Sequence, residues 1–254
     1  MYSPSTMYFL HTFKLTLNAA ANRLLSIRSE VAAMKETHSP YHHGNLRLAL
    51  VNAAVEQIKT HGVEKLSLRG LARDVGVSQT APYRHFEDKN HLLAEIATQA
   101  FDDLYEATFQ YVNLEDSPLV NIGRTGFRYL MFARSNPERY KLMFGPTIQN
   151  RTEYETMIAA GQRGFDVLVG EVERGIQRGD FLNQNPFVLA NVLWTQVHGL
   201  ASLVIDGFYD NKELPMPLEQ FISVQMFLSA RSVAVNISEE EMNAASLKIL
   251  SEIQ

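Results

Sequence analysis

The chain has 254 residues and no cysteine. Disulfides, thiolate nucleophiles and cysteine-ligated zinc are therefore excluded. Long apolar runs are missing as well: none approaches the ~20 residues that a bilayer-crossing helix needs. The sequence reading is of a cytoplasmic protein without a membrane span. Catalytic signatures are also lacking, with no G-x-S-x-G, no P-loop and no H-E-x-x-H. Nothing in it calls for a cofactor or marks an enzyme. An excess of positive charge is absent too. The formal net charge of −5 argues against a surface that coats nucleic acid regardless of sequence, but it leaves room for a local DNA-reading face.

What is present is an ordinary globular balance, 46% hydrophobic and 20% charged. The first 40 residues stand apart. Their apolar stretch is broken by polar residues and no basic cluster precedes it, so it does not read as a secretory signal. The segment reads as a disordered extension, or as the product of an upstream start with Met34 as the real one. His38, His42 and His43 follow without a carboxylate or cysteine partner. They read as solvated histidines rather than a metal site.

From Asn45 the pattern turns helical. Leu46, Ala49, Leu50, Ala53, Ala54 and Ile58 share one helix face, and Gly62 stops the run after Lys59 and His61. Ser67 is a good N-cap for a short helix with Leu68, Leu71, Ala72 and Val75 on one side, ended by Gly76. After a tight turn, Ser78 can cap a third, very short helix reaching about Tyr83, with Pro82 near the limit of tolerance. Asp88 caps a fourth, with Leu92, Leu93, Ile96 and Ala97 inward. Further helices are expected over roughly 102–113, 118–134, 137–143, 151–178, 186–208, 216–233 and 239–252, with breaks at proline and glycine positions. The fold class is all-α.

Two short helices joined by a glycine-containing turn are the pattern of a helix-turn-helix, whose first helix braces the second in the major groove. The second helix carries Ser78, Gln79, Thr80, Tyr83, Arg84 and His85, residues of the kind that contact base edges and phosphates. Lys89 can reach a phosphate. Ser67 and Arg69, at the start of the preceding helix, are further phosphate candidates. A polar surface helix would look similar. Residues 41–100 are only slightly basic, with seven Lys/Arg against six Asp/Glu.

The string V-S-x-x-A-x-Y-R-H-F-x-D-K-x-x-L-L, from Val77 to Leu93, resembles the tetracycline-repressor-like (TetR) family, as do Gly62 and Leu68-x-x-Leu71-Ala72. The resemblance implies that residues 41–100 form a DNA-binding domain and 101–254 a regulatory and dimerisation domain. It implies phosphate contacts for Tyr83 and Lys89, and a helix-capping role for Ser78. It places base-edge or adjacent contacts at Gln79, Thr80 and Arg84, packing or a phosphate contact at His85, and a core position at Phe86. Pro82 departs from the commonest family pattern, which implies a tilted or shortened recognition helix. Trp194-x-x-x-His198-Gly199-Leu200-Ala201 resembles the family's C-terminal variant with a Trp-His-Gly pattern.

The family implies a small-molecule pocket in the C-terminal helices and a dimer made by the last long ones. Helix 186–208 is apolar on much of its circumference and helix 216–233 on one side, which suits either a dimer bundle or an internal core. Trp194 and His198 lie four residues apart on one face and are ligand candidates; a satisfied core histidine is the alternative. Phe127, Met131, Phe144, Tyr154 and Met157 are possible pocket walls. Together these features point to a homodimeric regulator, a repressor released from a palindromic operator by an apolar effector. Alternatives are a ligand-independent activator or architectural DNA binder, and a helical enzyme with a vestigial helix-turn-helix.

Overall fold

The computed structural model describes residues 46–252, apart from the side chains of Glu239 and Leu250. The expected N-terminal extension, Met34 and the three early histidines lie outside the described residues. Among the described residues the α-helices are α1 (Leu46–His61), α2 (Leu68–Val75), α3 (Lys89–Thr108), α4 (Pro118–Ser135), α5 (Pro137–Phe144), α6 (Glu155–Gln177), α7 (Pro186–Ile205), α8 (Leu218–Arg231) and α9 (Glu239–Ser251). The β-structure in this range is a single antiparallel bridge, Phe181 to Ala234. The chain divides into two compact units. Among described residues, one holds 46–106 and 135–164 and the other holds 107–134 and 165–252.

In the first unit, α1 buries Leu50, Val51, Ala54 and Ile58 along one face. Gly62, at φ 80°, ends it and gives its amide to the Ile58 carbonyl at 2.9 Å. The Ser67 hydroxyl caps α2 by accepting from the Gly70 amide at 3.1 Å. Gly76 closes α2 in the left-handed conformation, φ 77°. The adjoining Val77 amide then bonds to the Ala72 carbonyl at 2.9 Å. Leu71 and Ala72 are fully buried, so the two helices approach across an alanine.

The third element differs from the expected short α-helix. It is a 3-10 turn, Ala81–Arg84. Pro82 is the reason: it has no N–H to offer the Ser78 carbonyl, and its ring clashes with the carbonyl four residues back. That carbonyl bonds instead to the Ala81 amide at 3.0 Å. Ser78 thus serves through its backbone, while its hydroxyl sits 3.3 Å from that of Thr80. The Pro82 carbonyl accepts from both His85, at 2.9 Å, and Phe86, at 3.0 Å.

The fourth helix and the one expected over 102–113 are a single element: α3 runs unbroken to Thr108, followed by a 3-10 turn, Phe109–Tyr111. Ala97, Ala100, Phe101 and Leu104 continue one buried stripe, and no Gly or Pro interrupts it. Asp88 caps α3, its Oδ1 accepting from the His91 amide at 2.8 Å. The helix expected from 151 starts as a 3-10 turn, Arg151–Glu153. Helices 186–208 and 216–233 are shorter than expected, ending at Ile205 and Arg231.

The second unit packs Ile122, Leu168, Val172, Phe181, Leu189 and Leu193 into one cluster. Gly175 is needed there, since a Cβ would lie 2.1 Å from Phe181. A smaller cluster joins Leu119 and Val120 of α4 to Met242 and Ala245 of α9. α7 has 20 residues and a mean hydropathy of 1.5, long and apolar enough to cross a membrane by composition alone. This corrects the reading that no such stretch exists. Leu189, Ala190, Leu193, Leu200 and Ala201 of α7 are buried within the unit.

A buried ionic network ties the second unit together. The Arg124 guanidinium, only 5% exposed, meets Asp116 at 2.6 Å and Glu252 at 2.5 Å. It also donates to Asn121 Oδ1 at 2.6 Å and to the Tyr111 carbonyl. Lys248 pairs with the other Asp116 oxygen. Bonds from Lys248 and Arg124 hold the Asp116 carboxyl below its ordinary range, outweighing burial. Glu252 is lowered chiefly by its bond from Arg124.

Candidate nucleic-acid interface

The candidate DNA-contacting residues gather on the first unit around the turn between α2 and α3. Ser67, Arg69, Ser78, Gln79, Thr80, Tyr83 and Arg84 are exposed, while His85 and Lys89 are half-buried. Tyr83 is 47% exposed, unusual for so large a ring. Pro82 and Phe86 point the other way and are buried. One turn of 3-10 helix therefore carries an anchored inner side and an outer side of hydrogen-bonding groups. Ser67 uses one hydroxyl lone pair to accept from Gly70 in the α2 cap, and its O–H proton remains available to donate to a phosphate. Lys89 Nζ lies 3.4 Å from the Glu64 carbonyl.

The turn is braced by a residue that sequence reading missed. Arg47 of α1 donates to the His85 carbonyl at 3.2 Å and to Glu95 of α3 at 2.6 Å. Its guanidinium also sits over the Phe86 ring, 4.9 Å from the centroid. Burial alone would raise the Glu95 pKa, but bonds from Arg47 and Gln99 outweigh it and leave the carboxyl below its ordinary range. At the next turn, Asn90 exchanges bonds with the Gln149 backbone, both at 2.9 Å, and donates to Tyr154 at 2.8 Å.

Trp194, His198, Phe127 and Met131 lie in the second unit, whereas Phe144, Tyr154 and Met157, also read as pocket walls, belong to the first. Trp194 and His198 stack, with centroids 5.1 Å apart and planes at 25°. His198 Nδ1 is 3.1 Å from the Tyr129 hydroxyl, and burial lowers its pKa. A cavity of about 500 Å³, partly open to solvent, is lined by Trp194, Tyr129, Leu168, Val197, Thr125 and others. Phe127 lines a neighbouring cavity. Met131 and His198 line neither of the two.

Residues 50–96, which span every DNA-contact candidate, match the model of bacterial regulatory proteins of the tetR family. Residues 122–225 match that of the tetracyclin repressor-like C-terminal domain. A solved structure of a Rhodococcus protein of unknown function is 30% identical, with a TM-score of 0.65 over 78% of this chain and all of that one. The SmeT–triclosan complex has a TM-score of 0.55 at 19% identity, over 75% of this chain and 92% of that one. A nucleoid occlusion factor, SlmA, of Alteromonas mediterranea is 25% identical over 70% of this chain and 90% of its own length. A unit that carries the helix-turn-helix, a second helical unit and matches to both family models, over residues 50–96 and 122–225, have one reading: the chain belongs to the TetR family of transcriptional regulators.

Proposed function

We propose that the protein is a repressor that binds a palindromic operator as a homodimer and leaves it when a small apolar molecule binds. The observation that carries the DNA-reading part is the one-turn element at Ala81–Arg84. Its inner residues, Pro82 and Phe86, are buried and braced by Arg47, while Gln79, Thr80, Tyr83 and Arg84 face solvent. Tyr83 and Lys89 contact phosphate, and Arg84 and Gln79 meet base edges. Arg69 lies where the first turn of α2 can approach the backbone. Two such units meet successive major grooves about 34–36 Å apart.

Self-association is supported by the apolar exposure of α7 and α8. Phe187, Val188, Val192, Leu203 and Leu228 are all exposed in the single chain. Pairing α7 and α8 with their symmetry mates would bury this surface in a four-helix bundle. The effector site is the cavity beside Trp194. Its lining of Trp194, Tyr129, Leu168, Val197 and Thr125 carries no charged side chain, which suits an uncharged ligand, and the triclosan of the SmeT complex supports a small-molecule effector. A coupling of about 1–3 kcal/mol would change operator affinity about 5–150-fold. Such a regulator works in the cytoplasm, on the chromosome.

A second reading, an architectural DNA binder without an inducer, is favoured by the likeness to the nucleoid occlusion factor over most of its length. Selection from random DNA at physiological salt separates the readings, because low salt lets phosphate contacts alone imitate affinity. An enriched inverted repeat, released by an apolar ligand that quenches Trp194, supports the repressor. An enriched repeat that no ligand releases supports the architectural reading. Failure to enrich any sequence would sink both.

A further inference from the structure

The second unit contains another cavity, of about 620 Å³ and open on one side, walled by α4, α8 and α9. It adjoins the Trp194 cavity, and Gly123, Met226 and Ala230 line both. We propose that it is a separate binding site for a small, uncharged, apolar molecule, and that α9 is its movable wall.

The lining states the chemistry. No charged side chain borders the cavity. Its polar lining side chains are Ser223 and Ser246. Each hydroxyl donates to its own helix, Ser223 to the Glu219 carbonyl at 2.8 Å and Ser246 to the Met242 carbonyl at 2.9 Å. Both are left as acceptors only, so an ion gains nothing here and a neutral ligand is asked for at most one hydroxyl proton. Met226 and Met242 supply flexible thioethers that adapt to an irregular apolar shape.

The wall is built to seat closely and to part. Gly123 leaves α4 bare where Ile249 of α9 rests; a Cβ there would lie 2.5 Å from Ile249 Cδ1. Lys248, beside Ile249, and Glu252, just past the end of the helix, form the ionic latch onto Asp116 and Arg124. At the other end, Ser238 and Glu241 cap α9 reciprocally. The helix is thus capped by its own residues, and it is held against α4 by the contacts of Leu119 and Val120 with Met242 and Ala245 and by the ion pair from Glu252 to Arg124. Opening the latch admits a ligand without unravelling α9.

The test uses the full chain and N-phenyl-1-naphthylamine, an uncharged apolar probe that fluoresces when shielded from water. Ser246→Leu fills this cavity alone, and Ser229→Leu fills the Trp194 cavity alone. Saturable binding by the parent protein, weakened at least about tenfold by Ser246→Leu and by less than about threefold by Ser229→Leu, is expected. Glu252→Gln loosens the latch without touching the lining and speeds probe uptake several-fold. Circular dichroism and melting confirm that each variant folds, and Ser223→Leu replaces Ser246→Leu if the latter does not. Loss on Ser229→Leu alone, equal loss on both, or no saturable binding by the parent overturns the site. Unchanged uptake by Glu252→Gln overturns the movable wall.

Discussion

Arg47 shows how much one side chain decides. It joins a carbonyl of the recognition turn, a carboxylate of α3 and the face of Phe86. Arg47→Met keeps the stem packed but loses the charged contacts. Because the side chain is 42% exposed, water screens it, and the expected cost is about 1 kcal/mol of stability. DNA binding should weaken equally for operator and random sequence, since the whole turn loses its brace. A change in base preference alone would contradict this role. Tyr83→Ala should likewise weaken all sequences. Arg84→Ala should cost about 1–3 kcal/mol at one base position, read as relaxed preference in a binding selection. Two titrating groups, lowered for different reasons, give tests that run in the same direction. The Glu95 pKa is lowered, so its contribution is complete above the ordinary carboxylate range and is lost as pH falls through the folded value. Glu95→Gln should flatten that acid-side decline in melting temperature. His198 is also lowered, by burial, so here too the unfolded chain is the better proton acceptor. Stability should therefore fall as pH drops from the ordinary histidine value to the folded one, and His198→Gln should remove that step.

At the scale of elements, Pro82 sets the shape of the DNA-reading turn. Pro82→Ala restores an amide that can bond to the Ser78 carbonyl, so the turn can wind into an α-helix. It also empties part of a buried site, at a cost of about 1–2 kcal/mol. Binding selection should return altered bases opposite residues 79–84 with unchanged half-site spacing; an unaltered sequence would mean that the 3-10 geometry does not set recognition. Much of this region was legible in the chain. Ser67, Gly62, Gly76 and Asp88 act locally, through bonds to residues a few positions away, so their spacing discloses them. Pro82 announced a shortened helix, though not that the element would be 3-10 throughout. Arg47 was not legible because its partners lie 38 and 48 residues away. The helical pattern past Phe101 was legible, but residues 102–113 were counted as a helix of their own although the apolar stripe persists with no stop signal between them and the fourth helix. The cavity against α9 was hidden for a different reason. It depends on Gly123 facing Ile249, a pairing that no periodicity contains.

At the scale of the whole molecule, the ionic network holds the second unit's polar interior together. Arg124→Met leaves Asp116 and the surrounding amides without their buried cation and should cost about 3–5 kcal/mol, seen as a lower denaturant midpoint. Replacing Arg124 and Asp116 together by apolar residues of similar size should cost less than the sum of the single changes, and additivity would show that the two do not act as a unit. The network also has a consequence for descent. Lys248 and Glu252 are partly exposed, but Asp116 and Arg124 are buried together, and each of those two is tolerable only in the company of the other. A lineage can lose or reverse these two charges in concert but not one by one. In a set of relatives, these two positions should change as a correlated pair.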